Sequence, residues 1–196
     1  MQMKSKLIQK IIASGLLFAA LTAPSQQIVQ AQERSTFLLR LNCVDTGIGN
    51  WRRRSDNVVV DKAVYSSRFY MGPGDTLASL TCRLQPNRED VNFQTLQLGF
   101  GMRDNDQGSP SVLVNVYIDG VKAESRTVAP GGEPTFVSLN VTNTQNVSLE
   151  AICTSRFQYC DRVYFWEASL GIAPSTTQRR LSGRRGLEKR FLSLVD

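Results

Sequence analysis

Val114-Asn115-Val116-Tyr117-Ile118-Asp119-Gly120-Val121-Lys122 is the stretch on which the fold turns. Val114, Val116 and Ile118 alternate with Asn115 and Tyr117, the period-two pattern of a strand with one buried face. Val112 extends that apolar face by one more step. Asp119-Gly120 then supplies two residues that tolerate positive φ, which is what a two-residue type I′ hairpin turn demands. Val121 to Val128 therefore reads as the returning strand of a hairpin.

The same pattern continues on both sides. Ala78 to Leu84 alternates apolar and polar residues, and Leu96, Leu98 and Phe100 alternate with Thr95, Gln97 and Gly99. After the Pro130-Gly131-Gly132 turn come Val137, Leu139 and Val141. After Asn146 come Val147, Leu149 and Ala151, and Val163 to Ile172 reads as the last strand. Nearer the start, Phe37 to Leu41 reads as a short apolar opening strand, and Gly47-Ile48-Gly49-Asn50 as a turn. No amphipathic pattern of helical length and no internal repeat occurs in this region. Many short strands separated by turn signals predict an all-β sandwich or barrel.

The two ends differ from this body. Lys4, Lys6 and Lys10 precede an apolar run from Ile11 to Ala23, too short for a membrane span of about 20 residues. Val29-Gln30-Ala31 places small residues at −3 and −1 of a cleavage site. Residues 1–31 are thus expected to be a secretory signal peptide, with export to the periplasm or outside the cell. The whole chain carries a net charge of +6. Residues 1–31 hold three lysines and no acid, and residues 173–196 hold six basic against two acidic residues. Residues 32–172 therefore sit at −1. A neutral body lacks the overall basicity of a nucleic-acid platform. The basic segment 173–196 follows an Ala173–Thr177 linker and is expected to be a flexible tail, able to touch anionic surfaces. The body, residues 32–172, has the size of one domain.

All four cysteines lie in the body. An even count in an exported chain points to disulfides. The short spacing favours Cys153–Cys160, worth about 2.5 kcal/mol by loop closure, which leaves Cys43–Cys82.

The chemistry available is restricted. The chain has no histidine, which removes Ser-His-Asp and Cys-His arrangements and the common zinc sites. Paired cysteines are poor nucleophiles, and Gly72-Pro73-Gly74 lacks the spacing and the lysine of a phosphate-binding loop. No enzyme, and no cofactor, is the expectation. Asp104-Asn105-Asp106 before Gly108 is a weak Ca²⁺ candidate that lacks the later Glu of an EF-hand, and a turn between strands is the favoured reading. Sugar recognition needs flat apolar faces and planar hydrogen bonders. Trp51, followed by Arg52-Arg53-Arg54, stands beside a turn, where it is either an exposed platform or packed on the sheet edge. Arg156-Phe157-Gln158-Tyr159 lies in a loop that a Cys153–Cys160 bridge would stiffen, and preorganisation suits a binding loop. Trp166 lies within an apolar strand and reads as core.

From Tyr65 to Leu170 the sequence resembles the NPCBM family of carbohydrate-binding modules, which occur attached to glycoside hydrolases and in free-standing exported bacterial proteins. The resemblance is carried, in order, by Tyr65-Ser66-Ser67-Arg68-Phe69, by Leu96 to Asp104, by Val114 to Lys122 with its Tyr-x-Asp-Gly hairpin, by Val137 to Val141, by Val147 to Ala151, and by Asp161 through Trp166-Glu167-Ala168. It implies a galactose-binding-like jelly roll with ligand loops at one end, binding glycan without catalysis. The family's Gly-x-x-x-His pattern near Gly72 is not matched, so a ligand site using that histidine would be altered. Trp51, Tyr65, Arg103, Asp106, Arg156 and Tyr159 are the candidate sugar contacts. The alternative is an envelope structural or protein-interaction domain that keeps the fold without the sugar site.

Overall fold

The computed structural model describes residues 34–84 and 92–172. The readings of 1–31 and 173–196 lie outside those residues. Among the described residues there are thirteen strands: β1 (Arg34–Phe37), β2 (Cys43–Asp45), β3 (Asn50–Arg52), β4 (Asp56–Val60), β5 (Ala63–Ser67), β6 (Phe69–Gly72), β7 (Leu77–Arg83), β8 (Phe93–Gly101), β9 (Val112–Ile118), β10 (Val121–Val128), β11 (Thr135–Asn140), β12 (Asn146–Cys153) and β13 (Val163–Ile172). Among the described residues no helix is long and apolar enough to cross a membrane.

One sheet runs β11-β8-β13-β6-β3, with β1 paired to the far half of β13, and the other runs β10-β9-β12-β7-β2. Every pairing is antiparallel. The two sheets face each other across one core, as alternation on each strand requires. Phe69, Phe100, Phe165 and Leu98 enter from the first sheet; Leu80, Val114, Val116 and Leu149 enter from the second. The Phe69 and Phe165 rings stack at 4.4 Å, with Phe100 tilted against Phe165 at 5.1 Å. The β9–β10 hairpin forms as expected: Asp119 and Gly120 take φ of 46° and 81°. The Asp119 carboxylate accepts the backbone N–H groups of Gln145 and Asn146 at 3.0 and 2.8 Å, which ties this turn to the neighbouring loop.

Three features depart from expectation. Phe37–Leu41 does not continue as a strand; after β1 the chain makes a 3₁₀ turn over Leu38–Arg40. Leu38 and Leu39 are both buried, and a strand cannot send successive side chains to one side. Second, the stretch between Cys43 and Gly72 holds five strands the alternation did not announce. Two of them, β4 and β5, form a separate hairpin laid on the outer face of the first sheet, where Val58 and Val60 cover Tyr70 and Tyr164. Third, Trp166 is outside the main core. It is the extra residue of a bulge between Phe165 and Glu167, which turns its indole outward, stacked on Tyr65 at 4.1 Å. A Cβ at Gly99 would collide with that indole. The Trp166 N–H finds no hydrogen-bond partner.

Candidate functional site at the loop end of the sandwich

Five connections cross between the sheets at one end: residues 46–49, 73–76, 102–111, 129–134 and 154–162. At this end several polar side chains are fixed by specific contacts. Residues 102–111 leave β8 as a tight turn in which Arg103 grips Asp106 bidentately, Nη2 to Oδ1 at 2.7 Å and Nε to Oδ2 at 3.1 Å. Asp106 is buried, so the pair is partly shielded and geometrically fixed. The hydrogen bonding that Arg103 donates to the Asp106 carboxylate raises the Arg103 pKa against the opposing effect of burial. The Arg103 guanidinium also lies 5.2 Å from the Tyr164 ring centroid.

Residues 154–162 cross this turn. The Ser109 hydroxyl accepts the backbone N–H of Asp161 at 2.8 Å. Burial raises the Asp161 pKa, with the Asp106 charge adding to it and Arg103 and Arg162 opposing. Arg162 is exposed and stacks over the Tyr70 ring at 4.3 Å. Its cross-strand neighbour Gly72 leaves space between Arg162 and Asn50; a Cβ there would stand 3.2 Å from Asn50 Oδ1 and 3.6 Å from Arg162 Cγ. Tyr159 lies over Gly74, whose φ is +65°, and a Cβ at Gly74 would meet its ring at 3.3 Å. The Cys160 N–H donates to the Gly74 carbonyl at 2.7 Å. Cys153 and Cys160 are bridged, as the spacing predicted, and so are Cys43 and Cys82. The first bridge closes the loop carrying Arg156, Phe157 and Tyr159. Phe157 is 97% and Tyr159 65% exposed.

Of the candidates named from sequence, Arg103, Asp106, Arg156 and Tyr159 share this end. Trp51 is half-buried, opposite Met71 and packed on the margin of the core. Tyr65 is on β5, its ring committed to Trp166. The Asp104 carboxylate accepts the backbone N–H groups of Asp61 and Lys62 at 2.8 and 2.9 Å. The two acids of the Ca²⁺ candidate are thus occupied by backbone amides and by a guanidinium. Among the described residues no cluster of three or more metal-ligating side chains is found. Asp161, Arg162, Asn50 and the Tyr70–Tyr164 pair were not picked out as site residues. Asp161, Arg162 and Tyr164 lie in the closing stretch of the family resemblance, whereas Tyr70 and Asn50 reach the site through sheet pairing.

No protein-family model and no curated protein sequence matches this chain. Solved structures do share its architecture. The CBM51-2 and INT domains of Clostridium perfringens ZmpB align with 71% of this chain and 32% of that one, at a TM-score of 0.59 and 15% identity. The CBM51 of Clostridium perfringens GH95, solved in complex with methyl-galactose, aligns over 70% of this chain and 99% of that one, at 0.56 and 14%. The tandem CBM51 modules of Sp3GH98 from Streptococcus pneumoniae align over 74% and 49%, at 0.58 and 15%. This chain thus spans about a third of the ZmpB structure and nearly all of the single GH95 module. At such identities the common property is the fold: this protein has the galactose-binding-like β-sandwich of the CBM51 carbohydrate-binding modules.

Proposed function

We propose that this protein is a non-catalytic carbohydrate-binding module of the NPCBM type that engages glycan at the loop end of its sandwich and works outside the cytoplasm. The observation that carries the reading is the exposed Tyr159 ring, set over Gly74 on a disulfide-closed loop beside the ordered Arg103–Asp106 and Asp161–Arg162 groups. A sugar ring offers C–H faces to an aromatic ring and hydroxyls to planar hydrogen bonders. Tyr159 would supply the first; Arg162, Asp161 and Asn50 would supply the second, with Arg156 reaching in from the loop. Gly72 keeps the floor low enough for a ring to approach. Because the tight turn and the bridge fix these groups beforehand, little ordering is needed on binding. Catalysis has little support: the chain has no histidine, and the Asp106 carboxylate is neutralised by Arg103. Two disulfides fit an oxidising compartment.

The test is a glycan array on the oxidised full chain, followed by calorimetry on hits with and without a chelator. Tyr159→Ala and Arg162→Ala are each expected to weaken binding on the order of tenfold, and the chelator to change nothing. Trp51→Ala alongside separates the half-buried indole from the loop. A blank array on well-folded protein would sink the reading and leave a structural or protein-binding role for the same fold.

A further inference from the structure

Residues 32–172 are close to neutral, yet their arginines are not evenly spread. Arg40, Arg52, Arg53, Arg54 and Arg68 are all exposed and gather around the β3–β6 edge of the first sheet. The Arg53 Nη1 donates to the Leu39 carbonyl at 3.5 Å, which brings Arg53 beside Arg40. Arg53 and Arg68 lie 5.8 and 3.8 Å from one ring centroid, that of the buried Phe37. Arg52 is the cross-strand partner of Tyr70, the ring over which Arg162 stacks. A band of guanidiniums thus runs from Phe37 along the edge to the loop end. The acid within these segments is Asp56, and it takes Arg54 at 3.0 Å. Among the described residues Arg40, Arg52, Arg53, Arg68 and Arg162 have no carboxylate within salt-bridge distance.

Crowding like charges costs self-repulsion, and a neutral domain gains nothing from it unless an anion covers the band. We infer that this band binds an anionic polysaccharide, one bearing carboxylate or sulfate groups along its length, leading it into the loop-end site; the inference rests on the glycan-binding reading above. Guanidinium forks match both groups bidentately, and stacking on Phe37 and Tyr70 holds the forks outward in fixed places. Nucleic acid fits less well, because Phe37 is buried beneath its arginines and offers no face for a base. A membrane fits less well too, because no exposed large apolar side chain lies between Arg52 and Arg54 or beside Arg40 and Arg68; Ile48, Phe157 and Tyr159 are exposed at the loop end, beyond these arginines.

The experiment is calorimetry on the full chain with heparin, polygalacturonate and a neutral galactan, at about 50 and about 200 mM NaCl. The variants are Arg53→Gln/Arg68→Gln, Arg53→Lys/Arg68→Lys, and Arg52→Gln, which leaves Phe37 covered. The 173–196 segment is the same in all and cancels. A polyanion is expected to bind more tightly than galactan, with affinity falling as salt rises. The Gln pair should lose on the order of tenfold in affinity and flatten the salt dependence, the Lys pair should restore it, and Arg52→Gln should act in the same direction. Heparin against polygalacturonate tells sulfate from carboxylate. Galactan binding with no preference for polyanions, and none of the variants altered, overturns the inference and spares the proposed function. Equal affinity for duplex DNA or for phosphatidylglycerol vesicles overturns it as well. Failure of every glycan to bind overturns both.

Discussion

Asp161 shows what tertiary surroundings do to an ordinary side chain. Burial disfavours its charge, the neighbouring Asp106 adds to the penalty, and Arg103 and Arg162 return only part of it. Its folded pKa is therefore raised, so between the unfolded and folded values the folded state holds more protons. Stability from this group is fully present below the ordinary aspartate range and is lost as pH rises through the raised folded value. Asp161→Asn is accordingly expected to melt slightly above the parent at neutral pH, with the difference vanishing in acid. Melting curves across the acid range check it; a variant less stable at neutral pH would show that the two guanidiniums outweigh burial. Trp51 makes the complementary point. As a tryptophan beside a turn it read either as a sugar platform or as packed on the sheet edge; its strand partner is Met71, and it packs on the margin of the core. Which side of β3 it occupies depends on pairing with β6, about twenty residues further along the chain.

Among the elements, the β9–β10 hairpin and the strands β7, β8, β11, β12 and β13 were legible because each alternates over at least five residues and ends at a recognisable turn. The β4–β5 hairpin was not. Its turn residues, Asp61 and Lys62, both adopt positive φ without a glycine. What holds them there is the Asp104 carboxylate, which takes both turn amides from a different loop. A local reading finds the acid cluster and misses its use. Asp104→Ala should hand those exposed amides to water and lose two charge-assisted hydrogen bonds, costing about 1 kcal/mol. Amide exchange should accelerate over β4 and β5 while the two main sheets stay protected, as hydrogen exchange followed by mass spectrometry can show. Unchanged exchange would mean that Val58 and Val60, packed on Tyr70 and Tyr164, hold the hairpin without help.

At the scale of the molecule, the two bridges do different work. Cys153–Cys160 closes a loop of seven positions within the site, whereas Cys43–Cys82 links β2 to β7 across 39 positions that include the β4–β5 hairpin and β6. Loop-closure entropy assigns about 2.5 kcal/mol to the short one and about 4 to the long one. Replacing Cys43 and Cys82 with serine should therefore lower the denaturation midpoint more than replacing Cys153 and Cys160. The second pair should do more damage to glycan affinity, because it frees the loop carrying Tyr159. Denaturant titration of both double variants reads the first difference and calorimetry the second; a reversed order in stability would assign the main effect to the folded state.

Local alternation, turn chemistry and composition specify an all-β fold of sandwich or barrel type, the main hairpin and the lack of histidine chemistry. Those signals depend on residues one to four positions apart, so they survive without knowledge of the fold. Tertiary structure alone decided where side chains meet. It turned Trp166 outward through a bulge and Trp51 inward through strand pairing. It joined Arg103, Asp106, Asp161 and Arg162 at one end, and drew Arg40, Arg52, Arg53 and Arg68 into one band. The physical reason is that an antiparallel sheet makes neighbours of residues far apart in the chain, and a shift of one position sends a side chain to the opposite face.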